Sequence, residues 1–167
     1  MSDVVIAEEP ADSADVDWCF RQYAEELGRL FGYVVDEALP LGPAELTPPR
    51  GRVLIVRCDG AAVGCGAVKL HQPRIAEIKR MWIAPGVRGR GLGSQLLAAL
   101  ETRALAAGKS VARLDSNQRL QTALAMYDAH GYRTVAPFND EPFASHWLQK
   151  ELGSPEAAAG MDTRRRR

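Results

Sequence analysis

The chain has 167 residues, which suits one domain with its own core, and its 46% hydrophobic and 25% charged residues are typical of a globular protein. The 21 basic and 21 acidic side chains cancel, but Arg164–Arg167 supply four of the basic ones, so residues 1–163 carry a net charge of −4. This mildly acidic body argues against a specific nucleic-acid-binding surface and is compatible with a cationic or amine substrate.

Cys19, Cys58 and Cys65 have neither disulfide nor zinc-site spacing. We therefore expect reduced thiols, no bound metal and a cytoplasmic protein. The acidic N-terminus lacks the basic start and apolar run of a signal peptide, and no apolar stretch approaches the roughly 20 residues that a membrane helix needs. No membrane association is expected.

The N-terminal half predicts a strand, a helix, a loop and a meander. Val4–Glu8 is predicted as a short strand and Val16–Phe31 as an amphipathic helix with its apolar side chains on one face. Leu39–Gly51 is predicted to be a loop because it contains four prolines and two glycines. The meander has a two-residue hairpin signal at Asp59-Gly60. Its predicted strands are Arg52–Arg57, Ala61–Leu70 and Arg74–Ile83.

The C-terminal half alternates helices with strands. The predicted elements are a helix over Leu92–Ala107, a strand over Val111–Leu114, a helix over Leu120–His130, and strands over Tyr132–Ala136 and Phe143–Leu152. From Gly153 the chain is small, polar and finally poly-arginine, so burial cannot offset the entropy of ordering it. We expect one α/β domain over residues 1–152, with a mixed sheet covered by helices, and a disordered basic tail over residues 153–167.

The segment Ile75–Ser94, IAEIKRMWIAPGVRGRGLGS, predicts a strand, a tight basic glycine-rich turn and the start of a helix. A helix N-terminus exposes unpaired backbone N–H groups and the positive end of the helix dipole. Glycines let a ligand approach that backbone closely. The segment therefore predicts a phosphate-binding site.

Other phosphate-binding loops fit less well. A dinucleotide-binding loop needs G-x-G-x-x-G/A, which Gly89 and Gly91 begin, and Asp115 lies at a suitable distance for its acidic residue. However, the sixth position of that pattern is Ser94, where glycine or alanine is needed. The strand before the loop also carries charged residues within Glu77–Arg80, whereas a central parallel strand is usually apolar throughout. A methyltransferase loop would have an acidic residue just before its glycines, and a P-loop would need Gly-Lys-Ser/Thr; neither is present.

The arrangement Arg88-x-x-Gly91-x-Gly93, after a strand that ends in Trp82-Ile83-Ala84-Pro85, resembles the acetyl-CoA-binding motif of the GNAT superfamily of N-acetyltransferases. The resemblance covers roughly Val53–Leu152 and is strongest over Glu77–Leu100 and Leu114–Tyr132. It implies a GNAT-like mixed, mostly antiparallel twisted sheet flanked by helices. It also implies that acetyl-CoA is the co-substrate.

The resemblance further implies how acetyl-CoA is held. The amides of the glycine-rich turn would bind the diphosphate, two arginines would add charge, and strand backbone groups would pair with the pantetheine arm. Asn117 matches an asparagine that contacts the pantetheine in the family, and a helix cap explains it equally well. The predicted acetyl-CoA-binding residues are Trp82, Ile83, Arg88, Gly89, Arg90, Gly91, Gly93, Ser94 and Asn117.

Two residues are predicted to transfer protons. Glu77 lies eleven residues before Arg88 and matches the strand glutamate that serves as base in several GNAT enzymes, although it could instead simply pair with Lys79. Tyr127 matches the tyrosine that protonates the coenzyme A thiolate in many members, although its spacing also fits a core tyrosine.

The acceptor is expected against Trp18–Leu41. Aromatic and acidic side chains of this segment are candidates for binding it: Trp18, Tyr23, Phe31, Tyr33, Asp36 and Glu37. The predicted function is direct acetyl transfer to the primary amine of a small molecule or peptide, without an acyl-enzyme. The alternative is a catalytically silent GNAT-like module that senses acyl-CoA. A homodimer is compatible with the resemblance, since many members are dimers.

Overall fold

A seven-stranded mixed sheet organises the chain in the computed structural model, which describes residues 2–32 and 42–153. The strands are β1 Val4–Glu9, β2 Gly51–Cys58, β3 Ala61–Lys69, β4 Ile75–Ile83, β5 Val111–Ser116, β6 Arg133–Thr134 and β7 His146–Glu151. Their order in the sheet is β1-β2-β3-β4-β5-β7-β6. Among the described strands, β4 and β5 pair in parallel and all other neighbours pair antiparallel. The predicted α/β class and the mixed, mostly antiparallel sheet are confirmed.

Three α-helices pack on this sheet within the described ranges: α1 Ala14–Phe31, α2 Leu92–Ala106 and α3 Gln121–Ala129. Helix α1 begins two residues earlier than predicted because Ser13 caps it, its Oγ accepting a hydrogen bond of 3.2 Å from the Val16 N–H. It ends at Gly32, whose φ of +75° is the left-handed conformation that commonly terminates helices.

The sheet separates two hydrophobic clusters, because side chains alternate between its faces along each strand. On one face, Leu54 and Val56 of β2 pack with α2 and α3. On the other face, Val53 and Ile55 of the same strand pack with Val16 and other residues of α1. We call these the α2/α3 face and the α1 face. The face to which a strand residue points decides which ligand or helix it can contact.

Several boundaries differ from the sequence prediction. The predicted loop Leu39–Gly51 contains a 3-10 turn over Pro43–Leu46, and β2 already begins at Gly51. Strand β6 has two residues instead of five, and β7 begins three residues later than predicted. Residues 33–41, which include the candidates Tyr33, Asp36 and Glu37, lie outside the described residues. The predicted tail also lies outside them from residue 154 onward.

A fork between β4 and β5 positions the functional site. These parallel strands pair over three residues, up to Glu77 and Arg113, and then separate. On its other edge, β4 changes register against β3 between Cys65 and Ala67, and Arg80 adopts a φ of +54° at this bulge. A bulge bends and twists its strand. The second half of β4 therefore leaves an opening in the sheet next to the end of β5.

Candidate active site

The opening is part of a cleft of about 1500 Å³. Its walls are the separated ends of β4 and β5, the glycine-rich turn, and parts of α1, α3 and residues 139–144. Most of the predicted acetyl-CoA-binding residues line it: Trp82, Ile83, Arg88, Gly89, Gly91, Gly93, Ser94 and Asn117. Arg90 is exposed and is not part of the lining.

The glycine-rich turn presents open backbone to the cleft. Gly89 and Gly91 have φ values of +78° and +76°, which disfavour any residue with a Cβ, and a Cβ built at either would meet no atom within 4 Å. Gly91 is also the N-cap of α2, where the first backbone N–H groups have no partner within the helix. A Cβ on Gly93 would lie 3.2 Å from the Met126 sulfur, so Gly93 lets α2 approach α3 closely. These features can hold a phosphate group at the helix N-terminus.

Arg88 contacts protein groups. Its guanidinium binds both carboxylate oxygens of Glu26 on α1, at 2.7 and 2.8 Å, and donates to the Ile83 carbonyl at 2.8 Å. It therefore ties the glycine-rich turn to α1 and to the end of β4. From the sequence, Arg88 and Arg90 are expected to add positive charge for phosphate binding, and no local pattern predicts that Arg88 contacts Glu26 and Ile83 instead.

Asn117 and Trp82 also have protein partners. The Asn117 side chain accepts a hydrogen bond of 2.9 Å from the Arg119 N–H and donates to the Phe143 carbonyl. It thus shapes the turn before α3, but the N-cap of α3 is Leu120, so Asn117 is not the helix cap that its sequence position also allows. The buried Trp82 indole packs edge-on against Trp18, with ring centroids 5.9 Å apart.

Tyr127 lies on α3 with its hydroxyl at the cleft. The side chain is buried, and its Oη is 3.7 Å from the sulfur of Met81 on β4. Its ring packs edge-on against Tyr132, with centroids 5.7 Å apart. Burial raises the pKa of Tyr127 well above its usual value, and the negative charge of Asp115 raises it further. The phenol therefore keeps its proton at neutral pH.

Glu77 belongs to a network of charged groups on the α1 face. Its Oε1 is 3.0 Å from the Lys79 ammonium, which lies 3.2 Å from Oδ2 of Asp115 on β5. Burial alone would lower the pKa of Lys79, but Asp115 and Glu77 together raise it, so Lys79 stays charged. Asp115 also accepts a hydrogen bond of 2.9 Å from Asn139. Lys79 and Asp115 line the cleft, whereas Glu77 lies behind them.

Asp115 and Asn139 also belong to the cleft, and no sequence motif predicts either of them there. In the sequence, Asp115 lies at a suitable distance for the acidic residue of a dinucleotide-binding loop. Its position two residues beyond the last β4–β5 pair brings it to the fork, next to Lys79. The spacing of charged residues on two neighbouring strands could have suggested this contact, but their register was not known.

The acceptor candidates on α1 separate into two groups. Tyr23 and Phe31 line the cleft, and Phe31 stacks on Phe143 with ring centroids 5.3 Å apart. Trp18 does not line the cleft and packs on Trp82 instead. The part of the cleft wall that the end of α1 forms is therefore aromatic.

Within residues 2–32 and 42–153, no helix combines the length and apolar character needed to cross a membrane. The same residues contain no cluster of three or more histidine, cysteine or acidic side chains that could hold a metal ion.

Comparisons with known proteins agree with this geometry. Residues 49–134 match the family of acetyltransferase (GNAT) domains. The IAA acetyltransferase of Azospirillum brasilense is 35% identical over 142 residues, which cover 83% of this chain and 90% of the relative. A solved protein of Klebsiella pneumoniae assigned as an acyl-CoA N-acyltransferase is 31% identical, with a TM-score of 0.71 over 89% of this chain and 97% of that one.

A third comparison supports the fold. The GNAT phosphinothricin acetyltransferase of Sinorhizobium meliloti, solved in complex with AcCoA, is 21% identical and has a TM-score of 0.67 over 90% of this chain and 89% of its own. At this identity the likeness concerns the fold alone. The family match over residues 49–134 and the 35% identical relative identify the chain itself: it belongs to the GNAT superfamily and is an acetyltransferase.

Proposed function

We propose that the protein transfers an acetyl group from acetyl-CoA directly to the primary amine of a small molecule or peptide, inside the cleft at the β4–β5 fork. The observation that carries the proposal is the fork itself. The glycine-rich turn lies at one end of it, and a protonated tyrosine and a carboxylate network lie on its two sides.

The donor would enter with its diphosphate on the free amides that follow Gly89 and with its pantetheine arm along the open edge of β4. Beyond Glu77 that edge has no partner strand among the described residues, so an amide-containing ligand can pair with it as a strand would. Trp82 and Ile83 lie in this stretch. Arg88 would support binding by holding the turn against α1 through Glu26.

The transfer needs one group that takes a proton and one that gives a proton. The amine nitrogen attacks the acetyl carbon, the carbon–sulfur bond breaks, and the thiolate must be protonated. Tyr127 is the proposed donor, since its hydroxyl is buried at the cleft and keeps its proton at neutral pH. The proposed base is the carboxylate network that contains Glu77, the residue assigned from the sequence.

The acceptor would approach on the α1 face. Tyr23, Phe31 and Phe143 offer aromatic surface there, and Asp115 and Glu141 offer negative charge. These groups suit an amine with an apolar or aromatic body. The Azospirillum brasilense and Sinorhizobium meliloti relatives are named for different acceptors, so a panel of amines is needed.

The reaction is proposed to occur in the cytoplasm, since Cys19, Cys58 and Cys65 are free thiols. No nucleic-acid partner and no metal are part of the proposal. A homodimer is compatible with it, and light scattering would measure the oligomeric state.

The test measures free thiol released from acetyl-CoA with amino acids, polyamines, arylalkylamines, peptides and phosphinothricin as acceptors. We expect at least one amine to give turnover well above the hydrolysis rate, with the acetylated amine identified by mass spectrometry. Stabilisation by acetyl-CoA without turnover on any amine would refute the proposal and favour an acyl-CoA sensor.

A further inference from the structure

We infer that Asp115 is the carboxylate that binds the acceptor amine and accepts its proton, and that Glu77 acts behind it as a positioning residue. This inference rests on the proposed function and identifies which member of the carboxylate network does the chemistry.

Asp115 has the position that this task requires. It lies on β5 past the last residue that pairs with β4, so its side chain is at the wall of the fork, with 18% of its surface exposed. Both described contacts, from Lys79 at 3.2 Å and from Asn139 at 2.9 Å, go to Oδ2. Among the described residues no hydrogen-bond partner is found for Oδ1. One carboxylate oxygen is thus held in place while the other is available to a ligand.

The orientation of Asp115 is fixed by a chain of contacts. The Trp147 indole N–H donates to Oδ1 of Asn139 at 2.8 Å, which turns the Asn139 amide nitrogen toward Asp115. On the other side, Lys79 is held between Asp115 and Glu77. A group positioned from two sides loses little freedom when it binds an amine.

The charges of the network favour an ammonium group. Glu77, Asp115 and Glu141 carry three negative charges, the last at 4.0 Å from Lys79. Lys79 and Arg113, which pairs with Glu77 across the two strands, carry two positive charges, so one net negative charge remains. Lys79 contacts one oxygen of each carboxylate, so the location of the two side chains decides between them: Asp115 lines the cleft, whereas Glu77 does not line it and is the more buried of the two.

Asp115 and Tyr127 lie on opposite faces of the sheet. Tyr127 packs in the α2/α3-face cluster with Leu114, and Asp115, the next residue on β5, points to the α1 face. Both line the cleft. An acceptor amine arriving on the α1 face therefore meets Asp115, while the sulfur of the donor can be reached by Tyr127 from the other face.

The proton balance is complete with these two residues. The bound ammonium gives one proton to Oδ1 of Asp115, and its nitrogen then bonds to the acetyl carbon. As the carbon–sulfur bond breaks, the thiolate takes the Tyr127 proton, and the second proton lost by the nitrogen returns Tyr127 to the phenol. Asp115 releases its proton to solvent, so one proton is produced per acetylated ammonium.

The test compares two acceptors of one shape. The first is the amine of the panel that the wild-type protein acetylates fastest, and the second is its alkoxyamine isostere, with oxygen in place of the CH₂ next to the nitrogen. The isostere is largely unprotonated at neutral pH and does not need a base before attack. In Asp115→Asn we expect kcat/KM for the basic amine to fall by roughly 10²–10⁴, and for the isostere by less than about tenfold.

Three further variants complete the test. Asp128→Asn is the matched control, since Asp128 is exposed on α3 outside the cleft, and it should behave as wild type. Glu77→Gln should keep the acidic limb of the rate–pH profile, which Asp115→Asn should abolish. Asn139→Ala removes one hydrogen bond to the charged form of Asp115 and should move the acidic limb of the profile to higher pH. This variant still tests Asp115 if Asp115→Asn does not fold.

Equal losses for both acceptors in Asp115→Asn, or full activity in that variant, would overturn the assignment while leaving the acetyltransferase proposal intact. So would loss of the acidic limb in Glu77→Gln, because Glu77 would then be the base. If the wild-type protein acetylates no amine, the proposed function itself fails and the role of Asp115 falls with it.

Discussion

Two neighbouring tyrosines allow the chemistry of the site to be separated from its stability. Tyr127→Phe removes a hydroxyl whose described contact is the Met81 sulfur at 3.7 Å, a weak hydrogen-bond acceptor. We therefore expect the free energy of unfolding to change by less than about 1 kcal/mol. If the hydroxyl protonates the thiolate, kcat should fall by roughly 10²–10⁴, which corresponds to about 2.7–5.4 kcal/mol of transition-state stabilisation.

Tyr132→Phe is the matched control and should show the opposite pattern. Its hydroxyl donates to the buried carboxylate of Glu101 at 2.9 Å. A hydrogen bond to a charged group contributes about 1.5–3 kcal/mol, so the variant should melt roughly 3–12 °C lower. Tyr132 does not line the cleft, so turnover below the melting range should stay near that of the wild type.

Calorimetric melting curves and thiol release at saturating acetyl-CoA and amine measure the two effects on the same samples. The reasoning is refuted if Tyr127→Phe keeps its full turnover, because Tyr127 would then be a core residue only. Equal losses of turnover in both variants would also refute it, since the two hydroxyls would not differ in role.

Three other predictions concern donor binding and pH. At a hundredfold excess over Kd, acetyl-CoA should stabilise the wild type by about 2.7 kcal/mol, which a rise in melting temperature would show. Gly91→Glu should lose this rise. Gly108→Glu is the matched control and should keep it, because Gly108 has a similar φ of +81° but lies outside the cleft. Arg88→Ala and Glu26→Gln should each weaken acetyl-CoA binding by less than about fivefold, because the ion pair between these side chains is partly exposed. The double variant should bind acetyl-CoA no more weakly than either single variant, since both changes remove the same contact. A hundredfold loss of affinity in Arg88→Ala alone would indicate direct phosphate contact. Because the pKa of Tyr132 is raised in the folded protein, the phenol adds stability that is fully present below the unfolded-state pKa near 10 and is lost as the pH rises above it. Urea unfolding measured from pH 8 to 11 should therefore show a smaller decline in the free energy of unfolding for Tyr132→Phe than for the wild type.

Local signals explain why most of the fold could be predicted from the sequence. The glycine-rich turn, the Asp59-Gly60 hairpin and the helical spacing of α2 each depend on a few adjacent residues, and the structure has all three. Boundaries were wrong where a distant partner or a cap decides them. Strand β6 pairs with β7 over only two residues, and no local pattern limits it to that length.

The positions of the charged residues relative to the cleft could not be predicted, because they depend on strand register. From the sequence, Glu77 and Asp115 are acidic residues on two strands 38 positions apart, and only Glu77 lies next to the recognised turn. Pairing of β4 with β5 stops at Glu77, so this residue stays inside the closed part of the sheet while Asp115 lies beyond the fork. A shift of one residue in that register would turn Asp115 to the α2/α3 face, away from Lys79. The position of the proposed base is therefore a property of how two strands pair, and a motif on one strand cannot specify it.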